Sequence, residues 1–422
     1  MIKKATSLLN RLHKSKDGKA LISNTKYLFL LKVSGFIFPL LTIPYLARVI
    51  GVEGFGKIAF ASAVMVWLTT ISDWGFNYTA TRDVAKNKAN HEKVSEIFSN
   101  VLWARLALMS VSLIFLLTLI AVVPFFSENR AILLVSFLMV PGNIFFPQWF
   151  FQALERMKFI TIFSLISKMI FTASVFLFIK EESDFILQPL FISLGNVVCG
   201  IAAMYLILKK WKIKLKAPSY QAIISTIKNS TDVFINNLMP NLYNSLGVVL
   251  LGFWGGSYAN GIYDAGRKLI TIVHLFMDII VRVTFPFLSR KIEAHNLFTK
   301  IYLSASIVLS LLVFLISPIF IDLFFTEAFD SALIVMRISS ISIFLVALSK
   351  VYGTNYLIIE GYEKILRNIT IKCSLIAFTI SLPLIYFYSY TGAAITLVSA
   401  QALIGISTAS RAIKIKKLKT IN

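Results

Sequence analysis

The chain has 422 residues, of which 57% are hydrophobic and only 15% charged, a formal net charge of +22 and a mean hydropathy of +0.78. That balance leaves too little polar surface for a soluble body of this length and points to an all-α integral membrane protein. The positive excess reads as an orientation bias and an attraction to anionic headgroups, so no nucleic-acid partner is needed to account for it.

About twelve apolar segments, each close to the ~20 residues that cross a bilayer, are expected at 27–47, 57–78, 98–123, 131–152, 159–179, 186–208, 229–253, 261–288, 300–324, 330–357, 367–388 and 391–410. The residues before the first span are charged throughout and lack the apolar stretch of a cleaved signal, so the first span itself is expected to direct targeting. Within that span Lys32, Gly35, Pro39 and Thr42 share one helical face, with Pro44 a further interruption. Between the first two spans, Gly51 to Lys57 reads GVEGFGK. This approximates a phosphate-binding loop, but Ile58 stands where Ser or Thr would hold magnesium, and no nucleotide site is expected. Asp73 lies in the second span and Arg105 in the third. The fourth holds Pro141, Gly142 and Pro147 ahead of Trp149, the pattern of a kinked helix. Lys168 sits near the middle of the fifth, where its ammonium reaches neither headgroup layer and needs water or a partner.

The stretch 209–228 is a basic linker containing Lys209, Lys210, Lys212, Lys214 and Lys216, and joins two halves at 1–208 and 229–422. Asn237, Pro240, Asn241, Asn244 and Gly247 make the seventh span polar on one side. In the eighth, Asp264, Arg267, Thr271, His274, Asp278 and Arg282 recur every three or four residues, one narrow stripe at 3.6 residues per turn. Pairing along the stripe, Asp264 with Arg267 or Lys268 and Asp278 with Arg282, would offset part of the cost of desolvation. Arg337, Lys350 and Lys372 lie nearer the ends of the tenth and eleventh spans, where interfacial anchoring is an alternative role. A cation at bilayer depth costs roughly 2.5–3.5 kcal/mol on insertion scales, so these embedded charges imply a wet interior and an anionic cargo.

An even number of spans places both termini on one side. Lys and Arg are concentrated in the termini and in the loops on that side, which makes it cytoplasmic. The outer connections are short and leave little room for a catalytic platform. Cys199 and Cys373 fall inside spans as packing residues. His13, His91, His274 and His295 have no metal spacing, and no nucleophile elbow is present, so neither cofactor nor metal is expected. The Asn-x-Thr triplets at Asn77, Asn229 and Asn368 lie in spans or at inner ends, away from glycosylation. Sliding the second half by 205 positions lays Gly51 on Gly256, Gly56 on Gly261 and Asp73 on Asp278, which with the span count predicts two parallel six-helix lobes.

YLARVIGVEGFGKIAFASA after the first span, FFQALERMKF after the fourth and PNLYNSLGVVLLG opening the seventh resemble the Wzx-type polysaccharide-lipid flippases of the multidrug/oligosaccharidyl-lipid/polysaccharide exporter superfamily. The resemblance covers essentially the whole chain. It implies a V-shaped, twelve-helix transporter, not an enzyme, of the bacterial inner membrane. Such a transporter moves an undecaprenyl-pyrophosphate-linked O-antigen or related oligosaccharide to the outer leaflet, and other polysaccharide assembly proteins are potential partners. On that reading Lys32, Lys168, Arg267, Lys268 and Arg282 supply positive potential, and Asn237, Asn241 and Asn244 meet sugar hydroxyls. Asp73 and Asp278 are candidates for coupling to a proton or cation. The rival readings are a drug or cation antiporter of the same superfamily, which Lys32 on the first span opposes, and a membrane-embedded oligosaccharide polymerase or ligase.

Overall fold

A computed structural model describes residues 16–421; residues 1–15, His13 among them, and residue 422 lie outside the described residues. The described chain is helical almost throughout, and nine of its helical stretches are long and apolar enough to cross a membrane. It is a multi-pass membrane protein. The helices are α1 (Lys16–Asp73), α2 (Phe76–Lys86), α3 (His91–Val122), α4 (Pro124–Glu128), α5 (Arg130–Phe137), α6 (Met139–Phe145), α7 (Gln148–Ala153), α8 (Met157–Phe178) and α9 (Leu187–Tyr205). They continue with α10 (Tyr220–Leu238), α11 (Asn241–Arg290), α12 (His295–Phe324), α13 (Ala332–Leu348) and α14 (Glu363–Ile421).

Three of these are far too long for one passage. At 1.5 Å per residue, the 58, 50 and 59 residues of α1, α11 and α14 would each run well past a hydrocarbon core of about 30 Å. Each contains a residue that leaves helical conformation: Gly51 (φ 64°, ψ −175°), Gly256 (φ 73°, ψ −174°) and Ser389 (φ 49°, ψ −129°). Gly51 and Gly256 are the pair laid on one another by the 205-residue shift, and their backbones break the helix in the same way. A side chain there would be strained at positive φ, which is why both positions are glycine.

Two compact units are present. The first comprises Met1–Ile43, Leu68–Lys180 and Ile186–Phe234. Here the fourth apolar segment is broken into α5, α6 and α7, with Phe146 and Pro147 outside helical geometry, as its prolines require. Residues 212–219 of the linker are non-helical and are strapped to α3. Ser99 Oγ accepts from the Lys216 N–H at 2.9 Å, Ser95 Oγ accepts from the Lys214 N–H at 3.2 Å, and the Trp103 indole donates to the Lys216 carbonyl at 3.0 Å. Ser95, Ser99 and Trp103 are four residues apart and so lie on one face of α3. Between α1 and α2, Trp74 stacks on Phe234 of α10 with ring centroids 3.8 Å apart, and its indole donates to Thr231 at 3.3 Å.

The second unit comprises Pro44–Trp67, Glu181–Phe185 and Ile235–Asn422. The stretch after Ile43 thus packs with the C-terminal helices. Phe55 meets Phe325 and Phe329 edge-on at 6.1 and 5.7 Å, and the Lys268 ammonium lies 5.1 Å from the Phe55 ring centroid. Helix α13 runs on into a π-helical segment, Ser349–Ile358, whose widened turns present Lys350 and Asn355. Both cysteines are buried and unpaired.

Candidate functional site

The carboxylates expected at membrane depth already have cationic partners. In the first unit Asp73 accepts a hydrogen bond from Arg105 of α3, a residue only 3% exposed, and a second from the Asn77 amide at 3.0 Å. In the second unit Asp264 pairs with Lys268, one helical turn on, at 2.5 Å, and Asp278 pairs with Lys350 of the π-helical segment at 2.8 Å. The pairing of Asp278 corrects the expectation from spacing alone. Arg282 has the i+4 position on its own helix but is exposed, and the π-helical widening instead brings Lys350 across from the neighbouring segment.

Of the predicted embedded cations, Arg105, Lys268 and Lys350 are neutralised in this way. Among the described residues no carboxylate lies within ion-pair distance of Lys32, Lys168, Arg267, Arg282, Arg337 or Lys372, and of these Lys32, Lys168 and Arg267 are partly buried candidates for the site. Lys168, on α8, donates to Ser34 Oγ of α1 at 3.0 Å. Ser34 is 3% exposed and spends its own proton on the Leu31 carbonyl at 2.7 Å, so its lone pairs face the ammonium. Gly35 keeps this approach open, since a Cβ there would stand 3.9 Å from Lys168 Nζ. The charge of Lys32, half a turn before Ser34, acts on Lys168 as well. Two cations thus lie near one another in the first unit with no counter-charge among the described residues, and Ser34 takes one of the three Lys168 donors.

Arg267 holds a similar place in the second unit. Its guanidinium lies 5.1 Å from the Tyr263 ring centroid, and its buried Nε has no hydrogen-bond partner among the described residues. Two turns further on, His274 Nε2 is 3.4 Å from Ser342 Oγ. Of the asparagines, Asn237 is exposed near the end of α10, Asn241 is half-buried at the start of α11, and the Asn244 amide donates back to the Pro240 carbonyl at 3.2 Å. The pair of breaks at Met239 and Pro240 separates Asn237 from the other two. Lys372 is exposed, and Arg337 lies over the Phe314 ring at 5.2 Å.

Sequence spacing picked out Lys168 but missed the hydroxyl that holds it: Ser34 is 134 positions away. The Asn355 amide and its partner Thr284, 71 positions apart, were missed in the same way. No short-range pattern signals contacts of that separation.

Uncompensated positive charge in membrane-spanning helices whose carboxylates Asp73, Asp264 and Asp278 are already paired can hold an anion. Among the described residues no cluster of metal-ligating side chains is found. Comparison with known proteins gives a consistent result. The polysaccharide biosynthesis protein family matches residues 21–292. A protein of Escherichia coli (strain K12) described as a "putative O-antigen transporter" is 29% identical over 389 residues, covering 90% of this chain and 94% of that protein. Among solved structures, the lipid II flippase MurJ in an inward closed conformation gives a TM-score of 0.70 at 15% identity, over 93% of this chain and 87% of that one. An inward-facing multidrug resistance MATE family transporter of the MOP superfamily gives 0.68 at 13% identity, over 91% and 96%. These two likenesses establish the fold.

Proposed function

The chain belongs to the polysaccharide biosynthesis protein family, and from that premise we propose that it carries an undecaprenyl-pyrophosphate-linked O-antigen or related oligosaccharide unit from the inner to the outer leaflet of the cytoplasmic membrane. The description of the Escherichia coli relative supports the class of cargo. The observation that carries the reading is electrostatic: Asp73, Asp264 and Asp278 are each matched by a cation, whereas Lys32, Lys168 and Arg267 are not. A buried cation without a partner is costly. A cargo that brings its own negative charge removes that cost when bound, and a pyrophosphate does so.

The cargo has three parts with different needs. Its pyrophosphate and sugar hydroxyls cannot cross hydrocarbon unaided, because stripping their water without replacement costs too much. Lys168, Lys32 and Arg267, together with Lys268 and Arg282, supply the positive potential for the pyrophosphate. Asn237, Asn241 and Asn244 replace water at the sugar, and the prenyl tail stays in lipid. Each broken helix counted as two passages gives twelve spans, arranged as two six-helix lobes at 1–208 and 229–422 with the 209–228 linker and both termini cytoplasmic. Alternating access by rocking of the lobes moves the cargo. Asp278, whose pair with Lys350 is about one-third exposed, exchanges its partner for a proton or cation during the empty return.

The test is surface polysaccharide in cells carrying Lys168→Gln or Arg267→Gln at normal protein level. The reading expects surface polysaccharide to fall sharply in both; unchanged polysaccharide in both removes the assigned role.

A further inference from the structure

A cavity of about 330 Å³ lies in the first unit, and neither Lys32 nor Lys168 lines it. Three connections that the charge asymmetry assigns to the cytoplasmic side line it: the α2–α3 turn with Lys88 and His91, the α7–α8 turn with Arg156, and the start of the linker with Trp211. The Arg156 guanidinium lies over the Trp211 ring, 4.6 Å from its centroid. A guanidinium stacked in this way keeps its in-plane N–H donors available. Phe151 and Phe159 hold the same indole at 5.4 and 5.5 Å, so the surface under Arg156 is fixed. His91 Nε2 is 2.9 Å from the Trp211 carbonyl. A carbonyl only accepts, so Nε2 carries the hydrogen and Nδ1 is the ring nitrogen left over.

The backbone around the cavity is held in an uncommon form. Glu155 (φ 57°) and Lys212 (φ 54°) are both non-glycine residues in the left-handed region, and they directly adjoin Arg156 and Trp211. Strain of this kind persists where the surroundings fix a functional geometry. The charge balance narrows the ligand further. Lys88 pairs with Glu155 at 3.3 Å, so Lys88, Arg156 and Glu155 together leave one uncompensated positive charge. A phosphodiester, with a single negative charge, neutralises it; a pyrophosphate would overfill it.

We propose that this cavity binds the phosphodiester headgroup of an anionic glycerophospholipid of the inner leaflet. Arg156 and Lys88 donate to the phosphate oxygens, and Trp211 occupies the interfacial position that tryptophan favours. Binding ties the linker to both turns. The site shares no lining residue with the cations assigned to the cargo, and its occupant is a membrane lipid and not the cargo.

The test titrates the full-length protein in detergent with short-chain phosphatidylglycerol, short-chain phosphatidylcholine and glycerol 1-phosphate, and follows each complex by native mass spectrometry. Phosphatidylglycerol should bind saturably, and Arg156→Gln and Lys88→Gln should each weaken it about tenfold or more, the scale of one lost charge-assisted hydrogen bond. Lys414→Gln, which is not among the lining residues, should leave it unchanged. Because Arg156 also covers Trp211, the exposed Lys88 provides the variant that tests the site without disturbing packing. Equal binding of phosphatidylcholine, or wild-type affinity in Lys88→Gln, overturns the proposal. Displacement of the lipid by glycerol 1-phosphate at equal concentration overturns the lipid as source and makes the ligand a soluble phosphate.

Discussion

Gly56 and Gly261 are reciprocal: a Cβ on Gly56 would run into the Ser257 carbonyl, and a Cβ on Gly261 would run into the Val52 carbonyl. Ser257 precedes Gly261 by one helical turn, as Val52 precedes Gly56. Each stretch therefore gives a glycine to the partner's carbonyl at matching positions of the two halves. This is small-residue helix packing of the kind membrane proteins use to bring backbones together.

Gly56→Ala or Gly261→Ala should each force the two helices apart. Overpacking of this kind costs about 1–3 kcal/mol, and the two variants should lose similar amounts because the contact is reciprocal. Thermal unfolding of the purified variants measures this; a large loss for one and none for the other contradicts the reciprocity.

Asn260, next to Gly261, is fully buried, and neither its amide nitrogen nor its oxygen has a hydrogen-bond partner among the described residues. A buried amide left unsatisfied costs about 1–3 kcal/mol, so this packing is held below its full stability. Asn260→Leu, which keeps the number and branching of the side-chain heavy atoms, should raise the melting temperature and slow transport by favouring the packed state. A lower melting temperature sinks this interpretation.

How much of this could be read from sequence depends on distance along the chain. The 205-residue repeat aligned Gly51 with Gly256 and Gly56 with Gly261 because backbone geometry at a tight break and a close crossing admits little but glycine. Lys168 was legible because a single ammonium in an apolar span has no innocuous explanation. The partners were not legible. The 3.6-residue period joined Asp278 to Arg282, but the π-helical segment holding Lys350 changes the register on the neighbouring helix, and no one-helix pattern encodes that. The packing of Pro44–Trp67 with the C-terminal helices is likewise a tertiary fact.

Arg105 and Asp73 form a largely buried pair, with side chains 4% and 23% exposed. Arg105→Leu alone strands the carboxylate and should cost about 3 kcal/mol or more, whereas Arg105→Leu with Asp73→Asn should recover much of that loss, since Asn77 can still donate to residue 73. Folded protein yield and melting temperature report it. Additive losses in the double variant contradict a buried pair.

Asp278 is assigned the coupling role. Transport by the wild-type protein in proteoliposomes should accelerate under a proton gradient, and Asp278→Asn should retain gradient-independent transport while losing the acceleration. An Asp278→Asn protein that still responds fully to the gradient rules out this carboxylate.

The account rests on cations that lack protein counter-charges and are satisfied by the cargo. The most direct measurement is flipping of an undecaprenyl-pyrophosphate-linked oligosaccharide in proteoliposomes, comparing wild type with Lys168→Ala and Lys168→Arg at equal reconstitution. Loss of an ionic hydrogen bond to pyrophosphate should slow Lys168→Ala about tenfold or more, while Lys168→Arg, which keeps the charge, should retain most activity. Equal rates for Lys168→Ala and wild type would contradict the account.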